Sequence, residues 1–176
     1  IAFQDPKHYG RSILENSSFL ASSAFADEKL HGNGFVARLS GSTIEFLNIL
    51  LLMNVGLKPF YLDKDGRLNL KFSPILDKFL FTTIAKDPEY YNKEGKKMNL
   101  VLPKASYAFN FLKDTLVVYH NPRRKNTFGK NKASITGMKL EAKNGKFIKL
   151  KGDVVAHPLA GQVRNGEFRR IDVFME

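Results

Sequence analysis

The segment Ser40-Gly41-Ser42-Thr43, which precedes the apolar run Phe46–Met53, indicates phosphate-binding chemistry. Its hydroxyl groups can donate hydrogen bonds, and a glycine lets an oxyanion approach the backbone closely. Because helix N-termini carry unpaired N–H groups and partial positive charge, a turn at this position suits a phosphate. An arginine just before it could add a bidentate contact. The sequence therefore predicts an anion site formed by Arg38, Ser40, Gly41, Ser42 and Thr43. The same residues also suit a well-capped helix that binds nothing.

The other residues whose side chains could do chemistry form no specific arrangement. The four histidines do not share a two-histidine spacing on one element, so we predict no metal site. The chain has no cysteine, which excludes disulfides, thiolate metal sites and cysteine catalysis. Glu15, Asp27 and Glu28 carry carboxylates that could do acid–base work on a sugar. Surface or capping roles are favoured for them, and we assign no catalytic residue.

Positive charge is concentrated after residue 56. Residues 1–56 hold four Lys/Arg and five Asp/Glu, and residues 57–176 hold 24 and 12, which gives net charges of −1 and +12. The run Arg123-Arg124-Lys125, followed by Lys130 and Lys132, could bind nucleic acid. A solvated loop is the favoured interpretation, because the aromatic-interleaved strands of an RNA-recognition module are absent.

One helix and a series of strands must position these residues. Ser42 and Glu45 have capping-box spacing and predict a helix to about Asn54, with Gly56 as a left-handed C-cap. Apolar residues occur on nearly all its sides, so we expect the helix to be buried. Period-two patterns and apolar runs predict strands at 68–72, 79–84, 98–102, 107–112, 115–119, 134–140, 147–150 and 168–174.

These elements predict a mainly β chain with a short α-helical N-terminal part. Turn signals at Asp65-Gly66, Lys113-Asp114, Asn144-Gly145 and Asn165-Gly166 separate the strands and favour an antiparallel β-sandwich or jelly roll. The predicted boundary lies at Val55–Pro59 and gives a region 1–56 and a domain 57–176.

The chain opens on Ile1-Ala2-Phe3-Gln4 without an initiator methionine, so we expect it to be part of a longer polypeptide. The longest apolar run, Ile49–Met53, is too short to span a bilayer. A cytoplasmic location is favoured.

The order of several segments is more specific than any single motif. In sequence they are Gly10–Phe19, Leu30-His31-Gly32, Gly34–Thr43, the apolar helix, Gly56-Leu57-Lys58-Pro59, Asp65-Gly66-Arg67-Leu68 and Phe72–Leu76. Over residues 9–82 this order resembles the C-terminal part of cellobiose-phosphorylase-like proteins, glycoside hydrolase family 94 and its relatives. The rest of the chain is similar to these proteins in architecture only.

This resemblance implies the last elements of an (α/α) barrel followed by a β-sandwich. It also implies inverting phosphorolysis of a β-linked glucoside to a sugar 1-phosphate, with inorganic phosphate as co-substrate and no other cofactor. Ser40 and Gly41 match the family's Thr-Gly pair that touches phosphate, and Ser42 matches the next hydroxyl residue. The catalytic acid belongs to an earlier part of the barrel, so this chain alone is expected to be inactive.

The resemblance implies two partners, an oligosaccharide or disaccharide and the rest of the parent polypeptide. Neither a membrane nor nucleic acid is expected as a partner, and a homodimer is left open. Two alternative functions remain. One is a non-catalytic β-sandwich that binds carbohydrate through Tyr90, Tyr91 and Tyr107 or supports assembly, and the other is a basic nucleic-acid-binding module.

Overall fold

The computed structural model describes residues 5–10, 19–35, 40–92, 94–112 and 114–176. Over these residues the chain is mainly β with a few helices, as the sequence predicts. The helices are α1 Pro6–Tyr9, α2 Ser40–Val55 and α3 Leu159–Arg164, with 3-10 turns at Glu28–Leu30 and Lys78–Leu80. The strands are β1 Phe19–Leu20, β2 Gly34–Phe35, β3 Phe60–Leu62, β4 Leu68–Lys71, β5 Tyr90–Tyr91, β6 Lys97–Met98, β7 Ser106–Phe111, β8 Thr115–His120, β9 Ile135–Ala142, β10 Phe147–Lys151, β11 Val154–Val155 and β12 Phe168–Met175.

The largest sheet has five strands in the order β10-β9-β12-β8-β7. Strand β12 lies between β9, to which it is antiparallel, and β8, to which it is parallel. The sheet is therefore mixed rather than wholly antiparallel. A parallel neighbour requires a long crossover, and here the chain passes through β9, β10, β11 and α3 between β8 and β12.

The main core lies on one face of this sheet. Val117 and Tyr119 of β8 pack there with residues of β4, β11 and α3. Because side chains alternate along a strand, Leu116 and Val118 point to the opposite face. There they form a second, smaller cluster with Leu100 and Leu102, and the isolated bridge Lys86↔Leu102 lies in the same segment.

Helix α2 differs from its prediction in extent and in burial. It begins at Ser40, so Ser42 lies in its first turn and is not the N-cap. Its C-terminal residues Met53 and Val55 belong to the main core, whereas Ile44 and Leu47 are 72% and 61% exposed. The expected burial is wrong for this part of the helix, because no described element covers it. Within the described residues, no helix is both long and apolar enough to cross a membrane.

The end of α2 is fixed to the strands that follow. Gly56 has a φ of +95°, the left-handed conformation predicted for it, and a Cβ there would lie 2.9 Å from the Cβ of Ser73. Ser73 donates its backbone N–H to the carbonyl of Val55 at 3.0 Å, and Ile75 donates to that of Met53 at 2.8 Å. The segment after β4 thereby satisfies carbonyls that a helix end leaves unpaired.

Two predicted strands are wrong or too long. Residues 79–84 form no strand, because the Asp77 side chain accepts from the N–H of Phe79 and caps a 3-10 turn. Of residues 98–102, only Met98 lies in a strand and Leu102 makes an isolated bridge. The sequence patterns also missed β3 and α3.

Candidate ligand sites

The predicted phosphate site falls on the first turn of α2. Ser40, Gly41, Ser42 and Thr43 are its first four residues, so their backbone N–H groups belong to the helix N-terminus. Arg38 lies outside the described residues, and so do the side chains of this turn. The phosphate site therefore remains a prediction.

The helix that carries this turn is anchored at its other end. The Tyr119 hydroxyl donates to the carbonyl of Asn54 at 2.7 Å and joins the last turn of α2 to β8. Burial raises the pKa of Tyr119 well above 10.0, so the phenol stays protonated and remains a donor. The first turn is thus carried on a helix whose position is set by the β core.

A cleft of about 440 Å³ opens on the opposite face of the five-stranded sheet. The β5–β6 ribbon forms one wall and the face of the sheet forms the other. Its lining residues are aromatic, amide and charged in mixed order: Tyr90, Tyr91, Asn92, Glu94, Met98, Asn99, Leu100, Asn110, Asp114, Leu116, Glu141, Lys143, Arg169 and Arg170. The volume lies within the usual range of small-molecule sites.

The three cationic side chains that line the described part of the cleft each contact a carboxylate. Arg169 contacts Glu141, and the Lys143 ammonium lies 3.4 Å from the Asp114 carboxylate. Arg170 donates from Nε and one terminal nitrogen to both carboxylate oxygens of Asp172 at 3.0 and 2.7 Å. The cationic side chains of the cleft therefore face carboxylates.

Tyr90 joins the ribbon to the sheet. Its hydroxyl donates to Oδ1 of Asn110 at 3.3 Å, and its ring packs against the smaller apolar cluster. Burial, and then the nearby Asp114 carboxylate, raises the pKa of Tyr90. Tyr91 is 49% exposed and leaves an aromatic surface open to solvent at the cleft.

A partly buried ionic cluster of His120, Arg170 and Asp172 adjoins the cleft, and the sequence patterns did not indicate it. Nε2 of His120 lies 2.7 Å from Oδ1 of Asp172, and the His120 ring stacks on Phe174 with centroids 5.0 Å apart. Burial opposes ionisation of Asp172, but hydrogen bonds from His120 and Arg170 outweigh burial and lower its pKa.

An Asp–His pair can serve general-base catalysis when the imidazole faces a nucleophile. Ser106 is the register neighbour of His120, but it is fully buried and its hydroxyl donates to the carbonyl of Pro103 at 2.6 Å. We therefore interpret the cluster of His120, Arg170 and Asp172 as structural.

The basic loop is held in place by its own polar residues. The Arg124 guanidinium donates to the carbonyls of Lys78 and Phe81 at 3.3 and 3.2 Å. The buried Asn121 side chain donates to the carbonyl of Lys125 and accepts from its N–H. One central charge of the predicted nucleic-acid patch thus has a structural role.

The remaining sequence candidates are scattered. Glu15 lies outside the described part of the chain, and Asp27 caps the 3-10 turn that contains Glu28. Nε2 of His31 donates to the carbonyl of Phe25 at 2.8 Å. No group of three histidine or carboxylate side chains among the described residues could hold a metal ion.

Tyr107 does not belong with Tyr90 and Tyr91. It pairs with Tyr119 in the register of β7 and β8, and its ring lies on the core face, 6.2 Å from that of Phe81. Of these three candidates, Tyr90 and Tyr91 of β5 line the cleft.

No protein-family model matches this chain, and no curated protein matches it in sequence.

Proposed function

We propose that this chain is the C-terminal part of an inverting glycoside phosphorylase that converts a β-linked glucoside to a sugar 1-phosphate. In this proposal, α2 is the last helix of an (α/α) barrel and residues 57–176 form a β-sandwich or jelly roll that buttresses it. The catalytic acid comes from an earlier part of the polypeptide, and the protein works in the cytoplasm.

The exposed apolar surface of α2 is the observation that carries this proposal. Its last turn is fixed in the β core, while Ile44, Leu47, Ile49 and Leu51 face solvent. A helix that is apolar all round is normally buried. Packing against further helices of a barrel covers these side chains, and the C-terminal anchor keeps the β domain in place beside them.

Phosphate then binds at the N-terminus of the same helix. The N–H groups of the first turn, the hydroxyls of Ser40, Ser42 and Thr43 and the Arg38 guanidinium would hold it where it attacks the anomeric carbon. In an inverting hydrolase a water molecule occupies this position. Gly41 would matter because it lets the oxyanion approach the backbone.

The test is phosphorolysis by the complete polypeptide that contains this chain, assayed as release of sugar 1-phosphate from β-linked glucose disaccharides. Gly41→Val should raise the KM for phosphate about tenfold or more, because it removes close hydrogen bonds to an anion. The KM for the disaccharide should change little. Gly41→Ala should give a smaller effect of the same kind.

The matched control is Gly161→Ala in α3. Gly161 is also helical, and a Cβ there would meet no atom within 4 Å. Gly41→Val and Gly161→Ala should both keep the wild-type circular dichroism spectrum. A folded Gly41→Val variant with an unchanged phosphate KM contradicts the phosphate site, and absence of sugar 1-phosphate from the wild type contradicts the function.

A further inference from the structure

We infer that the cleft between the β5–β6 ribbon and the outer face of the five-stranded sheet is a binding site for a neutral oligosaccharide. This site is separate from the phosphate turn of α2. The helix is anchored through Tyr119 on the core face, whereas the cleft is lined by Leu116 on the other face of the same strand.

The charge balance of the cleft selects a neutral ligand. Among the described lining residues, Glu94, Asp114 and Glu141 supply three negative charges, and Lys143, Arg169 and Arg170 supply three positive charges. The sum is zero in a chain whose net charge is +11. The described lining residues therefore show no excess of positive charge, which nucleic acids and free phosphate groups would require.

The pairing of those charges supports the same conclusion. Arg169 and Arg170 already contact Glu141 and Asp172, so these carboxylates offset the attraction of the two guanidinium groups for an anionic ligand. Guanidinium, ammonium, amide and carboxylate groups lie together in this lining, and they include both hydrogen-bond donors and acceptors. Such an array suits the adjacent hydroxyl groups of a sugar, each of which both donates and accepts.

The aromatic residues supply the second half of sugar recognition. A pyranose ring has an apolar face of C–H groups that packs on an aromatic ring, while its hydroxyls point outward to polar partners. Tyr91 offers an exposed ring, with the amides of Asn99 and Asn110 in the same lining. Tyr90 is held against Asn110 and sets the distance between ribbon and sheet.

The cleft between the ribbon and the sheet face is partly open to solvent and not fully enclosed. An open cleft admits the middle of a chain and not only its end, so the expected ligand is an oligosaccharide. Its solvated mixture of polar and apolar atoms suits that ligand better than a lipid or a wholly apolar molecule.

The experiment is an NMR titration of the 176-residue chain with cellohexaose and, separately, with maltohexaose. At least one should shift the amide signals of the β5–β6 ribbon and of Arg169 while leaving those of α2 unchanged. Tyr91→Ala should weaken that binding about tenfold, as loss of one aromatic contact does. The matched control is Tyr61→Ala on β3, an exposed tyrosine that does not line the cleft.

Three results would overturn the inference. They are no shift with either sugar, shifts that map elsewhere, and equal affinity in Tyr91→Ala and the wild type. Titrations with a (dT)12 oligonucleotide and a mixed-sequence decapeptide test the two macromolecular alternatives, and shifts of the ribbon by either one alone would assign the cleft to that class. Because Tyr91 is not part of the phosphate turn, these results are independent of the Gly41 variants.

Discussion

The carboxylate of Asp172 holds two side chains on the outer face of the sheet. It accepts two hydrogen bonds from Arg170 and lies 2.7 Å from the imidazole of His120. The side chain is nearly buried, so its charge is stabilised by these partners more than by water. Its pKa is therefore lower in the folded protein than the ordinary value of 3.8.

This pKa shift predicts a loss of stability in acid. A depressed folded-state pKa contributes stability that is present above the unfolded-state value of about 3.8 and is lost as pH falls toward the folded-state value. We expect Asp172→Asn to lower the free energy of unfolding at pH 7 by about 1–3 kcal/mol, because two partly buried donors lose a charged acceptor. The variant should also lack part of the wild-type decline below about pH 4.

Urea unfolding at a series of pH values measures both effects. Asp65→Asn is the control, because Asp65 is an exposed residue in the β3–β4 turn. If Asp172→Asn and the wild type lose stability in parallel as the pH falls, the role assigned to this carboxylate is wrong.

At the scale of elements, α2 divides into an anchored end and an exposed end. Met53 is buried in the main core, while Leu47, less than two turns earlier, is exposed. Two apolar residues of similar size in one helix should therefore respond very differently to truncation.

We expect Met53→Ala to lower the free energy of unfolding of the 176-residue chain by about 2–5 kcal/mol, because it leaves a cavity in the core. Leu47→Ala should change the same quantity by less than about 0.5 kcal/mol, since the side chain has few neighbours to lose. Chemical denaturation of both variants is the measurement. A large loss in Leu47→Ala would mean that an element covers this face of the helix in the isolated chain.

Local patterns predicted the elements whose signals are local. Alternation located β4, and the turn at Asn144-Gly145 joins β9 to β10 with Gly145 at a φ of +81°. The strand predicted at 79–84 failed because one carboxylate, Asp77, captures a backbone N–H and starts a 3-10 turn. Phe81 of that run is buried in the core and Leu80 packs against it, whereas Phe79 and Ile84 are exposed.

Long-range pairings were beyond those patterns. The parallel contact of β8 with β12 joins segments about 50 residues apart, and nothing in either strand specifies the other's direction. The cleft also depends on long-range contacts, since Tyr91 and Arg169 line it together only after the ribbon folds over the sheet. The alternative of a carbohydrate-binding domain named the tyrosines of β5, together with Tyr107, but not the arginines opposite them.

At the scale of the whole molecule, the distribution of charge distinguishes the binding of polyanions from the binding of neutral sugars. Residues 57–176 carry a net charge of +12, whereas the described residues that line the cleft carry no net charge. Residues other than these therefore carry the excess charge, which can attract a polyanion without a specific site.

We expect any binding of single-stranded DNA to fall about a hundredfold or more between about 50 and 200 mM NaCl, because counterion release drives it. Oligosaccharide binding should stay within about twofold over the same range, since it involves no net charge. Fluorescence anisotropy and calorimetry at matched salt concentrations measure the two. DNA affinity that does not change between the two concentrations would show that counterion release does not drive the binding.

The anchoring of α2 at one end makes the helix a lever. Its sixteen residues span about 24 Å from Val55 to Ser40. A tilt of about 5° at the Gly56 fulcrum would displace the first turn by about 2 Å, more than the tolerance of a hydrogen bond. The close contact between Gly56 and Ser73 therefore determines the position of the first turn of α2, which is far from it. Small changes at this contact would displace that turn without altering any residue in it.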